Sequence, residues 1–207
     1  MNKILRRYTD LPFLVDYLWT KELALLNPRN WDDKNDSFFL ARYEQAKNLE
    51  ATCVLCLTEA PETYHHWKVF TSGASGVCIE FEKNELLAHA ARIPELVAQP
   101  VIYKSIKAVR EGSPTLEELP FLKRAAFSDE AEFRLFLAKQ KSATSVCRVK
   151  VPFSAVKRIY LSPWITKAVC KVVKAAIKEL PDCKTLKVYR STLVDNEDWK
   201  RLGDHAL

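Results

Sequence analysis

The sequence predicts an α+β fold in one compact domain, built on a mixed and mostly antiparallel sheet. The chain has 207 residues, of which 48% are hydrophobic and 28% charged, and this suffices for one buried core without disulfides or a structural metal. Helical and strand-like stretches follow one another without the regular strand–helix–strand alternation of a doubly wound sheet. The four glycines form neither a Gly-x-Gly-x-x-Gly nor a Gly-x-x-x-x-Gly-Lys pattern, so no glycine-rich phosphate loop is expected.

The first half of the chain is predicted to alternate helices with short buried strands. Pro12 in a first turn, followed by an apolar stripe through Leu14 and Leu18, predicts a helix over 11–21. The unbroken apolar run over 51–57 is typical of a buried strand. Similar patterns predict further helices over 38–48, 61–70 and 85–92, and further strands over 77–81 and 101–103.

The second half is predicted to contain more strands and one long helix. Alternating polar and apolar side chains predict a strand over 127–138. Ser162 is expected to cap a helix that begins at Pro163 and ends near Leu180. The remaining predicted elements are a helix over 116–124 and strands over 147–151, 156–161 and 184–194.

Three charged side chains share one face of the predicted strand over 127–138. Alternation places Glu130, Glu132 and Arg134 in one row, about 7 Å apart at each step of two residues. Charged groups this close shift one another's pKa, and such clusters are enriched at active sites. A salt-bridged outer face of an edge strand would give the same pattern, so the spacing leaves both interpretations open.

Positive charge is concentrated between residues 139 and 190. This segment carries 13 lysine and arginine residues against two acidic ones, whereas the whole chain has a net charge of +6. Four of the lysines are spaced to lie on one helix face: Lys167, Lys171, Lys174 and Lys178. The apolar residues expected on or near the opposite face are Ile165, Val169, Val172, Ala176 and Leu180. The basic face suits a phosphate backbone, and an ordinary solvated helix surface is the alternative.

Aromatic and histidine side chains are grouped between residues 64 and 70. Trp67 and Phe70 are spaced for one helix face and could stack on a base or a nicotinamide ring. Core packing produces the same spacing and is the alternative interpretation. The adjacent His65 and His66 could exchange protons, or could serve only in capping and packing.

No metal site is expected from the residue pattern. Cys53 and Cys56 form a lone Cys-x-x-Cys pair inside an apolar run, without a second pair at zinc-ligand spacing. The acidic loop over 32–36 offers oxygen ligands but lacks the glycine and glutamate positions of an EF-hand. Turn formation, with Asp36 as a helix cap, is the better interpretation of that loop.

The sequence favours a cytoplasmic protein without a membrane partner. No apolar run approaches the 18 residues that a transmembrane helix needs. The first residues lack the apolar stretch of a signal peptide. We therefore expect the six cysteines to be reduced thiols.

Several short motifs follow one another in order along residues 7–161. They are Arg7-Tyr8, Leu23–Pro28, the loop Asp32–Asp36, Cys56-Leu57-Thr58, Trp67 with Phe70, Gly76–Phe81, and Phe127, Glu130, Glu132, Phe133 and Arg134. In this order they resemble an uncharacterised bacterial domain family that is often found in anti-phage islands. That family has Asn-Asp-Pro-Phe-Asp at the acidic loop and a tyrosine at the position of Phe70.

The layout of that family is similar to the ADP-ribosyltransferase-like fold, and this similarity implies an enzyme that uses NAD. Glu132, or else Glu130, would hold a ribose hydroxyl and stabilise an oxocarbenium-like transition state. Arg7 would bind the pyrophosphate, and Phe70 would stack on the nicotinamide. The cofactor-binding residues implied by the resemblance are Arg7, Tyr8, Trp67, Phe70 and Arg134.

The resemblance also implies a domain organisation and a biological role. One domain would span 1–207, with the family core over 1–161 and a basic helix, last strand and tail over 162–207. We expect NAD-dependent modification of a nucleic acid or protein in a phage-defence or toxin system, with a partner protein of that system. One alternative is a non-catalytic nucleic-acid-binding or sensor module, in which the charged row is structural. A second is a metal-dependent nuclease that uses Asp32, Asp33, Asp36 and the glutamate pair.

Overall fold

The computed structural model describes residues 3–139 and 145–204 and confirms the predicted α+β class. Residues 140–144 of the basic segment and 205–207 of the tail lie outside the described ranges. The helices are α1 Leu11–Thr20, α2 Lys34–Ala46, α3 Tyr64–Phe70, α4 Lys83–Ala90, α5 Ile106–Glu111, α6 Lys167–Glu179 and α7 Glu197–Asp204. Within the described ranges, no helix has the length and apolar character required to cross a bilayer.

Short strands occur throughout the described chain. They are β1 Ile4–Asp10, β2 Glu22–Leu26, β3 Ala51–Thr58, β4 Gly76–Glu82, β5 Leu96–Pro100, β6 Ile102–Lys104, β7 Leu122–Arg124, β8 Glu132–Lys139, β9 Val146–Lys150, β10 Val156–Leu161 and β11 Val188–Arg190. Most of their pairings are antiparallel, whereas β6 with β7 and β10 with β11 are parallel. The predicted mixed and mostly antiparallel sheet is therefore confirmed.

The chain divides into two compact units that are discontinuous in sequence. The first comprises Met1–Arg7, Lys21–Ala60 and Phe81–Ala155, and the second comprises Tyr8–Thr20, Pro61–Glu80 and Val156–Leu207. The predicted division into 1–161 and 162–207 within a single domain stays a prediction.

The first unit is organised around β3 and β8. These strands pair antiparallel along their whole length, from Ala51 opposite Lys139 to Thr58 opposite Glu132. Strand β5 pairs with the other edge of β8, and β2 links β3 to β9. Because β8 has a neighbour on each side, it is an interior strand and not the edge strand of the structural alternative. Part of its core is formed by Leu40, Val54, Phe121 and Phe136.

The second unit contains α1, α3, α6, α7 and the parallel pair of β10 with β11. Its aromatic core consists of Tyr8, Trp67 and Cys78, with Tyr160 and Trp164 partly buried against them. Helix α1 lies where the sequence predicts it and buries Leu14, Tyr17 and Leu18.

Two predicted boundaries near the candidate residues are wrong. Strand β8 begins at Glu132 and not at residue 127, because a 3-10 turn over Ala125–Glu130 precedes it. Helix α6 begins at Lys167 and not at Pro163, because the side chain of Thr166 caps it by accepting from the Val169 N–H.

Three further segments differ from their predictions. Helix α3 begins at Tyr64, three residues after Pro61, because Thr63 accepts from the His66 N–H and caps it. The predicted helix over 116–124 is a 3-10 turn over Leu116–Phe121 with Pro120 inside it, followed by β7. The predicted last strand over 184–194 is shortened to β11, and β1, β5, α5 and α7 were not predicted.

Candidate functional site

Five charged side chains of the first unit form one network, which we call the charged cluster. Its members are Asp36, Lys123, Glu130, Glu132 and Arg134. Glu132 and Arg134 project from β8, two residues apart and therefore on one face of the strand, as alternation predicts. Asp36 comes from the first turn of α2, and Lys123 from β7.

Arg134 lies at the centre of the charged cluster and is fully buried. Its Nε and Nη2 donate to Glu132 Oε1 and Oε2 at 2.7 and 3.0 Å. Its Nη1 donates to Asp36 Oδ1 at 2.9 Å and to the Pro120 carbonyl at 2.8 Å, and Nη2 also donates to Asp36 Oδ2. The five N–H donors of the guanidinium are thus engaged by protein oxygens. The predicted contact of Arg134 with NAD stays a prediction.

Lys123 is the second cation of the charged cluster and lies near all three of its carboxylates. Its Nζ lies 2.6 Å from Glu130 Oε2, 3.3 Å from Glu132 Oε2 and 4.0 Å from Asp36 Oδ2. The ammonium therefore offsets part of the negative charge of these three carboxylates. Over residues 3–139 and 145–204, no group of three or more His, Cys, Asp or Glu side chains is arranged to hold a metal.

The acidic loop contributes to structure in two ways. Asp33, and not the predicted Asp36, caps α2, because its Oδ1 accepts from the N–H groups of Asn35 and Asp36. Asp36 is directed instead into the charged cluster, where it pairs with Arg134.

The chain turns sharply between Glu130 and Glu132, and this turn brings both carboxylates to Lys123. Ala131 adopts the left-handed conformation, with φ at 42°. Thr58 Oγ1 donates to the Glu130 carbonyl at 2.6 Å, and the Glu132 N–H donates to the Tyr103 hydroxyl at 2.8 Å. A left-handed backbone is costly for a residue with a Cβ, and such positions concentrate at functional sites.

The two glutamates differ in electrostatic environment. Burial by itself raises the pKa of Glu132, but the charge and hydrogen bonds of Arg134, with help from Lys123, lower that pKa to about 2. Burial raises the pKa of Glu130 above its ordinary value, although Lys123 opposes this. Two carboxylates whose pKa values are driven apart are suited to different roles in one reaction.

Arg7 on β1 is a second guanidinium of the first unit. Its Nη1 donates to the Cys56 carbonyl at 2.9 Å, and it makes no ion pair with any described carboxylate. Burial lowers the pKa of Arg7, while the charges of Cys56 and Glu132 oppose that shift. A half-buried guanidinium with unused donors is suited to bind a phosphate oxygen.

The predicted aromatic residues belong to the second unit. Trp67 is fully buried, its Nε1 donates to Glu62 Oε1 at 2.8 Å, and its ring meets the Tyr8 ring edge-on at 5.2 Å. Tyr8 is likewise buried, whereas Phe70 keeps 40% of its surface exposed beside the His66 ring. Trp67 therefore packs in a core, and the predicted contacts of Tyr8, Trp67 and Phe70 with NAD stay predictions.

Helix α6 presents its lysines as predicted but buries a different apolar side. Lys167, Lys171 and Lys178 are exposed, and Lys174 is half-buried. Val169 and Val172 are 50% and 68% exposed, so the predicted apolar face opposite the lysines is wrong. The buried residues of the helix are Cys170 and Ile177. They lie on the flank beside the lysine stripe, and this flank is the side that packs against the rest of the unit.

Lys123 was not found from the sequence. It stands alone between the apolar Phe121-Leu122 pair and Arg124, and no spacing rule links it to Glu132. A basic residue directly after an apolar pair is the only local signal that such a residue leaves.

Comparisons with known proteins give limited similarity. No family model matches the chain, and no curated protein does. Among solved structures, it is similar to Thermus sp. 2.9 DarT in complex with NAD+, with 14% identity, 96% of this chain and 97% of that chain covered, and a TM-score of 0.46. It is also similar to Thermus sp. 2.9 DarT in complex with ADP-ribosylated ssDNA, with 13% identity, 96% of each chain covered and a TM-score of 0.46.

Proposed function

We propose that this chain is an ADP-ribosyltransferase-like enzyme that uses NAD and has Glu132 as its catalytic carboxylate. One observation carries the proposal: an ionised, oriented carboxylate lies in the same unit as the incompletely partnered guanidinium of Arg7. A fixed negative charge and a phosphate-binding cation are the two protein groups that this chemistry needs most.

Glu132 fits the charge that develops in the reaction. The bond between nicotinamide and ribose breaks, the electron pair leaves with the nicotinamide, and positive charge grows on the ribose carbon. A carboxylate with a pKa of about 2 is ionised at neutral pH and stabilises that charge. The acceptor then bonds to this carbon and loses a proton, and we assign Glu130, with its raised pKa, as the group that takes the proton.

Arg7 supplies the anchor for the negatively charged part of NAD. Its donors that protein oxygens leave unused would bind the pyrophosphate, and the compensating anion would offset the cost of its burial. Tyr8, Trp67, Phe70 and Arg134 keep their proposed roles in holding the remaining parts of NAD.

The proposed target is a nucleic acid or a protein. Exposed Lys167, Lys171 and Lys178 on α6 favour a polyanion, because each lysine near a phosphate releases counterions. By resemblance we place this activity in a phage-defence or toxin system, together with a partner protein of that system. A cytoplasmic location belongs to the same proposal.

A second candidate function is a non-catalytic nucleic-acid-binding or sensor module. The observation that favours it is that the charged cluster satisfies itself: every N–H donor of Arg134 already bonds to a protein oxygen. Such a network stabilises a fold without any reaction. In that case the lysine face would bind nucleic acid, and NAD would not be consumed.

A turnover assay tests the proposal. Release of nicotinamide from NAD is measured with and without single-stranded or duplex oligonucleotides as acceptors. Glu132→Gln should slow release by about 100- to 1,000-fold, the usual effect of removing one electrostatic stabiliser. Glu85→Gln, at an exposed glutamate of α4, is the matched control and should leave the rate unchanged. Equal rates for the two variants would contradict the role of Glu132 and favour the sensor module.

A further inference from the structure

Two tyrosine rings lie side by side on the second unit. Tyr160 of β10 is directly opposite Tyr189 of β11 in the parallel pairing, and their ring centroids are 6.0 Å apart. Tyr189 is 45% exposed. Tyr160 is half-buried against the core formed by Tyr8, Trp67 and Cys78. Tyr160 is therefore held in place by the core, and the Tyr189 ring beside it is accessible from solvent.

Each ring carries a cation. Lys174 Nζ lies 5.9 Å from the Tyr189 ring centroid, and the Arg158 guanidinium lies 5.2 Å from the Tyr160 ring centroid. Arg158 also pairs with the buried Glu80 at 2.6 Å, so these two charges largely cancel. Lys174 has no ion-pair partner among the described residues and contributes net positive charge.

The lysine face of α6 continues from Lys174 and extends this positive surface. Lys171 and Lys178 are both exposed and lie on the same side of the helix as Lys174. The stretch from Lys171 to Lys178 spans about 10 Å at the usual helical rise, so the three lysines form a short continuous row along one side of the helix. Lys167 is left out because Asp195 lies close enough to interact with its charge.

The chemistry of this surface fits one class of ligand best. Accessible aromatic faces beside a row of lysines suit a strand whose bases are unpaired, because the faces of paired bases are stacked inside a duplex. An acidic peptide would match the lysines but does not carry an aromatic ring at every residue, whereas every nucleotide of a strand offers a base that can stack on Tyr189. Glu62, the other carboxylate near Tyr160, already accepts from Trp67 and Ser191.

We propose that Tyr189, supported by Tyr160, is a stacking site for an unpaired base, and that Lys171, Lys174 and Lys178 hold the adjoining phosphates. This assigns a binding site on β10, β11 and α6 to single-stranded nucleic acid. It rests on the proposed nucleic-acid target but is independent of NAD and of the charged cluster.

Fluorescence anisotropy with a labelled 12-nucleotide strand of mixed sequence tests the site on the full chain without NAD. Tyr189→Ala should weaken binding by about 5- to 150-fold, the effect of losing one stacked base, whereas Tyr189→Phe should change it by less than about twofold. Tyr64→Ala removes another exposed tyrosine that has a lysine over its ring, and it is the matched control. A double variant, Lys171→Gln with Lys178→Gln, should reduce the slope of log affinity against log salt by about 1.4.

Several outcomes would overturn the stacking site. One is that the unmodified protein does not bind the strand. Another is that Tyr189→Ala and Tyr64→Ala lose the same amount of affinity. A third is that polyglutamate displaces the labelled strand as potently as unlabelled strand does. Photocrosslinking of a strand with 5-iodouracil needs no variant and should map to the peptide that contains Tyr189. The binding assay contains no NAD and the turnover assay measures nicotinamide release, so failure of this site and failure of the NAD chemistry are distinguishable.

Discussion

Arg134 donates two hydrogen bonds to the carboxylate of Glu132, at 2.7 and 3.0 Å, from two residues further along the same strand. Both side chains are buried, and the guanidinium is itself fixed by Asp36 and the Pro120 carbonyl. The pair therefore holds the carboxylate in one orientation and keeps it ionised. Charge-assisted, two-point contacts of this kind combine directional and electrostatic stabilisation.

The pH dependence of stability should report this ionised state. Folding lowers the pKa of Glu132 from 4.5 to about 2, so its stabilising contribution is complete above about pH 4.5 and is lost as the pH falls through about 2. The contribution is of the order of 3 kcal/mol. Denaturant unfolding of the unmodified protein and Glu132→Gln should show a difference at pH 6 that narrows towards pH 2.5. A difference that is constant over this range would contradict the ionised state.

Removal of Arg134 should strongly destabilise the first unit. Arg134→Met leaves Glu132 and Asp36 buried with Lys123 as their one remaining ion-pair partner in the charged cluster, and we expect the free energy of unfolding to fall by about 3–5 kcal/mol. Arg134→Lys should recover only part of this loss, because an ammonium cannot reproduce the two forks of the guanidinium. Urea unfolding measures the free energy of unfolding of both variants. Arg92→Met, at an exposed arginine, is the control. A loss below 1 kcal/mol for Arg134→Met would show that the network contributes little.

Because Ala131 is left-handed, replacing it with glycine should change the free energy of unfolding in the opposite direction to the same replacement at Ala138. Ala131→Gly relieves the strain at φ 42° and should raise the free energy of unfolding by up to about 1 kcal/mol. Ala138→Gly, within β8, should lower it by about 0.5–1 kcal/mol, because glycine gives the unfolded chain more conformational entropy and the packing of the Ala138 methyl group against the core is lost. Thermal unfolding of the two variants compares them directly. Destabilisation by both would show that Ala131 is not strained.

Local signals predicted a good part of the fold and one contact of the candidate site. The apolar run at 51–57 gives β3, and Pro12 with its apolar stripe gives α1. Alternation alone places Glu132 and Arg134 on one face, where the structure finds them bonded. These features depend on spacing within a few residues, which is what a sequence pattern records.

The rest of the cluster depends on contacts between distant segments. Asp36 meets Arg134 across 98 positions of sequence, and Lys123 arrives on a short strand that the pattern predicts as a helix. Glu130 reaches Lys123 because Ala131 is left-handed, which strict alternation excludes. On α6, the buried flank depends on which side its neighbours pack against, so the amphipathic pattern alone gave the wrong apolar face.

Thermal unfolding with increasing NAD tests the central claim, that Arg7 and Glu132 belong to an NAD site, most directly. Ligand at 100 times its Kd adds about 2.7 kcal/mol to the free energy of unfolding, or roughly 5–10 °C in Tm for a chain of this size. We predict this shift for the unmodified protein and for Arg92→Ala, and its loss in Arg7→Ala. The absence of a shift at millimolar NAD, with each protein folded, would contradict the claim.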